Sequence, residues 1–293
     1  MNAEIVKFTA SDGIILDGIL NKCEEKTNKI LIQIHGMVSN CFKKRERTIA
    51  QIVENIGVDT LCFNNRGSEV VRYIKSETAS FMGGTAYEKI EDCYYDIVGA
   101  MEFALSLGYE NIYLQGHSLG STKVVYTYNR LKEESSKYLN NVKAIILLSL
   151  CDTSDTIEMG KDDTYLKIAE EKAAKGEIMD LMPFKCFMHP ISVRSYLQYA
   201  KYYQDIDFAR FDEKDYEFEI LNKIKVPLFM RWGNVNELIN QDAKDLAEFM
   251  NTKIHNPNKD ISYIDGADHT YYEKEEQLGY EIEKFLNLLV INK

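Results

Sequence analysis

Two hydrophobic patterns alternate along this chain. Residues 29–34, 59–63, 111–115 and 142–150 are short, near-continuous apolar runs. Runs of that length and continuity predict strands buried on both faces of a parallel sheet. Between them lie longer stretches in which apolar residues recur every three or four positions. Residues 42–56 form one, stopped by Gly57. Residues 87–107 form another, with Ile90, Tyr94, Ile97, Val98 and Met101 on one face and Gly108 at its end. Both read as helices. Upstream, residues 4–9 and 14–20 read as two strands joined by a turn at Ser11, Asp12 and Gly13. Downstream, a strand at 226–232, a helix at 241–250, a strand at 260–264 and a helix at 273–290 repeat the alternation. The order predicts an α/β fold, a doubly wound and mostly parallel sheet.

The alternation is interrupted from about 155 to 222. This stretch is helical in character, most clearly at 164–175 and 192–203. It predicts a helical cap, 155–222, inserted into one core made of 1–154 and 223–293. The cap is acidic and rich in aromatics: Tyr165, Phe184, Phe187, Tyr196, Tyr199, Tyr202, Tyr203, Phe208 and Phe211. Most of these are expected to pack inward. A few are expected to line a pocket over Ser118 that favours neutral, aromatic or cationic acyl substrates over anionic ones.

Composition narrows the field. The 293 residues carry a formal net charge of −11, which argues against nucleic acid or an anionic membrane as main partner. The first residues lack the basic and apolar parts of a signal peptide, and no apolar run approaches the ~20 residues of a membrane span. Six cysteines are scattered without metal-ligand spacing, and Cys62 and Cys151 fall in apolar runs read as strands. The expectation is a cytoplasmic protein with reduced structural thiols, no metal and no cofactor. Its partner would be a small-molecule acyl substrate; nothing in the chain indicates an oligomeric state.

The chemistry centres on Gly116-His117-Ser118-Leu119-Gly120, a G-x-S-x-G turn between the strand at 111–115 and a helix opening at Ser121. Such a tight turn needs glycines beside its tip and lifts the serine hydroxyl clear of the backbone. A serine hydroxyl needs a base to become nucleophilic. Of the five histidines, His269 lies just past the last strand, at the sheet edge where Ser118 also emerges. His117 and His35 read as turn-shaping residues; His189 and His255 have no partner in view. The oxyanion of an acyl transfer needs backbone donors. The amide of Leu119, next to the nucleophile, and that of Met37, after His35-Gly36, are the candidates.

On the serine turn, the His35-Gly36 loop, the position of the interruption and the late Gly266-Ala267-Asp268-His269 loop, the chain resembles an α/β-hydrolase over essentially its whole length. More loosely it resembles a subgroup that includes fungal hydrolases of siderophore esters, through residues 83–88, the Asp152 turn, Met182-Pro183 and residues 191–197. The resemblance implies a serine hydrolase of carboxylic esters or thioesters, or of amides, with an acid that orients His269. It places that acid in the turn after the strand at 226–232, where the usual spacing lands on Asn236. Three readings stay open at this point. Glu237, one residue on, supplies the carboxylate; Asp152 reaches His269 from the neighbouring strand end; or Asn236 is the partner, leaving a slow enzyme or a binding module. Acyl transfer to a nucleophile other than water would use the same machinery. Asn64-Asn65-Arg66-Gly67 carries Asn where many α/β-hydrolases have Asp, and reads as a structural turn.

Overall fold

Apolar runs without polar alternation must be covered on both sides, and in the computed structural model they are. It describes residues 2–160 and 162–291. Residues 1, 161, 292 and 293, which the expected core and cap include, lie outside the described residues. The strands are β1 (Asn2–Thr9), β2 (Ile15–Lys22), β3 (Lys29–Ile34), β4 (Asp59–Asn64), β5 (Arg72–Lys75), β6 (Ser80–Gly83), β7 (Asn111–His117), β8 (Val142–Leu148), β9 (Leu228–Gly233) and β10 (Lys259–Ile264). They form one sheet in the order β10-β9-β8-β7-β3-β4-β2-β5-β6, with β1 paired to β2. Pairing is parallel from β10 to β4 and antiparallel among β4, β2 and β1 and between β5 and β6. The α/β fold with a mostly parallel, doubly wound sheet is what the alternation predicts.

The helices are α1 (Lys44–Val53), α2 (Cys93–Ser106), α3 (Leu119–Glu133), α4 (Thr153–Gly160), α5 (Asp163–Ala174), α6 (Val193–Ala200), α7 (Glu219–Asn222), α8 (Ala243–Lys253) and α9 (Glu275–Ile291). Alternate strand residues serve opposite faces. Ile30, Ile32, Ile112, Leu114, Ile145 and Met230 pack with α2, α3 and α8 through Ile97, Val124 and Leu246. Leu31, Tyr113, Ile146 and Phe229 pack with α1 and α9 through Ile49, Val53, Leu278 and Ile282. The period of two along each strand therefore sets which helix it meets.

One sequence expectation needs correction here. The helix expected over 87–107 begins only at Cys93. Residues 85–87 and 90–92 are short 3-10 turns with extended backbone at Glu88 and Lys89 between them. Tertiary contacts hold them so. The Glu88 carboxylate turns inward to the fully buried Lys123, which also donates to Asn65 Oδ1 at 3.3 Å. The carbonyls of Ala86 and Glu88 accept from Ser192 N (2.7 Å) and Ser195 Oγ (2.7 Å), both at the start of α6. A regular helix would use those carbonyls internally. The β5–β6 hairpin has no signal in the sequence, because its strands are only four residues long and their apolar residues, Tyr73-Ile74 and Phe81-Met82, are adjacent instead of alternating, with Tyr73 and Phe81 exposed.

Between β8 and β9 the chain leaves the sheet. Met182, Phe187, Ile191, Val193, Tyr196 and Tyr199 form a separate small core with Ala169 of α5. Phe208, Phe211, Phe218 and Leu221 return to the large one. No described helix is long and apolar enough to cross a membrane.

Candidate active site

The parallel strands β3, β7, β8, β9 and β10 all end at one edge of the sheet, and their carboxyl ends deliver the chemically able side chains there. Ser118 follows β7 with φ 54° and ψ −127°, a conformation sparsely populated by residues with a side chain. Its amide donates to Leu148 O (2.8 Å) and its carbonyl accepts from Ser121 N (2.8 Å), which hold the turn. The flanking glycines are required by contact. A Cβ on Gly116 would stand 2.3 Å from Gly120 O, and one on Gly120 would stand 2.2 Å from Ile34 O.

The His35-Gly36-Met37 loop runs against this turn. A Cβ on Gly36 would lie 2.9 Å from Ser118 Cβ. Met37 and Leu119 line one cavity with Ser118 and His269. His35 is fully buried. Burial, followed by the nearby Lys123 charge, pulls its imidazole down to about 3. It is therefore neutral, and Nε2 accepts from Asn65 N at 3.2 Å while Nδ1 meets Gly36 O at 2.9 Å. His35 and the Asn64–Gly67 turn thus brace each other. Arg66 of that turn is clamped by Asp96 and Asp12 at 2.8 Å each.

The three candidates for the acid separate clearly by position. The Glu237 carboxylate hydrogen-bonds His269 Nδ1. Its Oε2 also accepts from Ser149 Oγ (2.7 Å) and Gly233 N (2.9 Å), and its Oε1 from Leu238 N (3.0 Å). Burial alone would raise this carboxyl. The His269 hydrogen bond and charge, then Ser149 and the Gly233 amide, outweigh burial and hold it below its ordinary value. Asn236, by contrast, is exposed and adopts φ +50°. Asparagine tolerates that left-handed backbone better than most residues, which accounts for its presence at the turn. The Asp152 carboxylate is engaged elsewhere, accepting from Ser154 N (2.8 Å) and Phe211 N (2.6 Å).

The loop bearing His269 is tied down on its amino-terminal side. Val235 N donates to Ala267 O (2.9 Å), and Gly266 N to Asn234 Oδ1 (2.8 Å), tying the Glu237 turn to the His269 turn. His117 is buried, and burial followed by the Arg45 charge pulls its imidazole well below its ordinary value. Neutral His117 donates through Nε2 to the His269 carbonyl at 2.7 Å.

Sequence reasoning missed Ser149, Tyr271 and Cys151. Ser149 donates to Glu237 and lies 3.0 Å from the Tyr271 hydroxyl, which donates to Arg231 O at 2.8 Å. One signal existed: a serine that closes an otherwise apolar strand run. Cys151 does not sit in a strand. It lies beyond the end of β8, with Sγ 3.6 Å from Ser118 Oγ.

The cavity over Ser118 and His269 has a volume of about 300 Å³ and an apolar wall that includes Ile90, Leu119, Met188, Tyr199, Ile206 and Leu238. Of the nine aromatics named above between residues 155 and 222, Tyr199 lines it; Phe208 and Phe211 sit in the large core, Tyr196 and Phe187 in the small one. The arrangement sets a serine hydroxyl and an imidazole on one cavity, backs the imidazole with a carboxylate that would stabilise it once protonated, and leaves room for an apolar group beside them.

No family profile and no curated protein matches this chain. Solved structures do. Est1E from Butyrivibrio proteoclasticus, solved with ferulic acid bound, is 18% identical with a TM-score of 0.67, over 98% of this chain and 99% of that one. The α/β hydrolase GrgF from Penicillium sp. sh18 is 15% identical with a TM-score of 0.70, over 98% of each chain. The Pyrococcus furiosus esterase Pf2001 is 17% identical with a TM-score of 0.59, over 97% of this chain and 91% of that one. At such identities the likeness establishes the fold.

Proposed function

We propose that this chain, an α/β-hydrolase by fold, is a serine hydrolase that cleaves carboxylic esters through an acyl-enzyme on Ser118. One observation carries the reading. A buried carboxylate, Glu237, held by Ser149 and two backbone amides, hydrogen-bonds the histidine that shares a cavity with the strained Ser118. Esterases among the similar folds support it.

Each step has a residue to perform it. Ser118 Oγ attacks the carbonyl carbon as His269 Nε2 takes its proton. Glu237 keeps the proton on Nδ1 in the resting imidazole and stabilises the imidazolium that forms. The backbone N–H groups of Met37 and Leu119 receive the oxyanion. His269 then protonates the leaving alkoxide, and water, activated by the same base, releases the acid. A thioester would react through the same steps.

A fluorophosphonate probe is expected to label the protein once, on the peptide containing Ser118. Label elsewhere, or none, would count against the reading. The apolar cavity also sets an acyl preference. Each buried methylene contributes about 0.8 kcal/mol. With several methylenes seated, a hexanoyl p-nitrophenyl ester should exceed the acetyl ester by roughly 10²-fold in kcat/KM. Equal rates would show that the acyl group lies elsewhere.

A further inference from the structure

Ser118 opens onto a second cavity of different character. It has a volume of about 410 Å³ and shares Met37, Val38, Ser118 and His269 with the first. Its lining includes Lys43, Lys44 and Arg45, together with Glu275. These cations are the N-cap and first two residues of α1, and Lys43 caps the helix with no side-chain hydrogen bond. Placement there is electrostatically adverse. The amino end of a helix carries the positive end of its dipole, and Asp, Asn, Ser or Thr are favoured as caps.

The carboxylates nearby do not cancel the excess. Lys44 pairs with Glu275 at 3.1 Å, and Arg45 pairs with Glu46. No carboxylate among the described residues pairs with Lys43, which is exposed. Arg45 is only 4% exposed; its Nη1 reaches Thr270 O at 3.4 Å, and its Nε has no partner among the described residues. In a chain with 46 acidic and 35 basic residues, a surplus of cations beside the nucleophile runs against the whole.

We infer that this second cavity receives the leaving-group side of the substrate, and that the leaving group carries a carboxylate or phosphate held by Lys43 and Lys44 at the start of α1. The inference rests on the serine-hydrolase reading and divides its substrate in two. The neutral acyl group fills the apolar cavity and the anionic alcohol or thiol fills the cationic one. In acylation the Ser118 Oγ–acyl bond forms and the acyl–oxygen or acyl–sulfur bond breaks. The leaving atom takes the proton that His269 received from Ser118, and its anion departs unchanged. This departs from the sequence expectation, which disfavoured anionic substrates as a whole, and keeps the preference for neutral groups only for the acyl half.

Two matched ester pairs test this. One is 1-hexanoylglycerol against its 3-phosphate. The other is methyl 3-hexanoyloxy-4-nitrobenzoate against the free 3-hexanoyloxy-4-nitrobenzoate. The anionic member of at least one pair should have a kcat/KM about tenfold higher at low salt, mainly through KM, and the advantage should shrink as salt screens it. The pair with the larger ratio identifies phosphate or carboxylate. Replacing both lysines, Lys43→Ala with Lys44→Ala, should bring the ratio close to one, while Lys43→Arg with Lys44→Arg should keep it. Ratios near one in the unmodified protein, or unchanged in the alanine variant, overturn the inference. Binding of the same pairs to Ser118→Ala, by calorimetry, separates it from the catalytic reading. Tighter binding of an anionic member supports the cationic cavity even if Ser118 proves not to be the nucleophile. Equal binding overturns it.

Discussion

Ser118→Ala is expected to lower kcat for a short p-nitrophenyl ester by on the order of 10⁴–10⁶-fold, with the fold intact. On the proposed mechanism the substitution removes the one atom that forms the acyl bond. What survives is the backbone around Met37 and Leu119 and the binding cavity, which alone give only the residual rate. The fold should persist because no hydrogen bond that holds the turn uses the Ser118 side chain. Leu148 O is met by Ser118 N and Ser121 N meets Ser118 O, both backbone groups. Alanine must adopt the same φ of 54°, at a cost of roughly 1–3 kcal/mol shared by any non-glycine residue there. Circular dichroism and urea unfolding check the fold; burst kinetics and steady-state rates check the chemistry. Near-normal activity in this variant would end the serine-hydrolase reading.

Glu237→Gln should lower kcat by about 10²–10⁴-fold with little change in KM. The carboxylate accepts on both oxygens: Oε1 from His269 and Leu238 N, Oε2 from Ser149 Oγ and Gly233 N. An amide cannot reproduce this. Its NH₂ must either oppose the Ser149 and Gly233 donors or face His269 and impose the wrong tautomer. In both orientations the negative charge that stabilises the imidazolium is gone. Asn236→Asp should do little, since that side chain is exposed. If instead Glu237→Gln is near neutral and Asn236→Asp raises activity, Asn236 is the functional position.

The same carboxylate has a signature in stability. Its folded pKa lies below the ordinary 4.5, so the folded state binds the proton less readily than the unfolded chain. The stabilisation is present above pH 4.5 and is lost as pH falls through the folded value. Glu237→Gln should therefore flatten the acid limb of a stability–pH curve relative to the unmodified chain.

The strand runs at 29–34, 111–115 and 142–150 declared the sheet because apolar side chains covered on both faces leave no other placement. The G-x-S-x-G turn declared itself for a related reason: only glycine fits where Gly116 and Gly120 abut each other and the end of β3. These are local demands, and they are written locally. The partner of His269 was not legible in this way. Spacing pointed at Asn236, and the backbone twists Asn236 outward at φ +50° while turning Glu237 in. Ser149, Tyr271 and Cys151 reach the site from strand ends and loops far away in the chain, and Glu88 breaks a well-formed helical pattern to meet Lys123 across the fold. A hydrophobic period records which side of an element is buried, because burial acts on each residue in turn. Which polar groups meet depends on where several strand ends and loops stop relative to one another, and only the packed chain decides that.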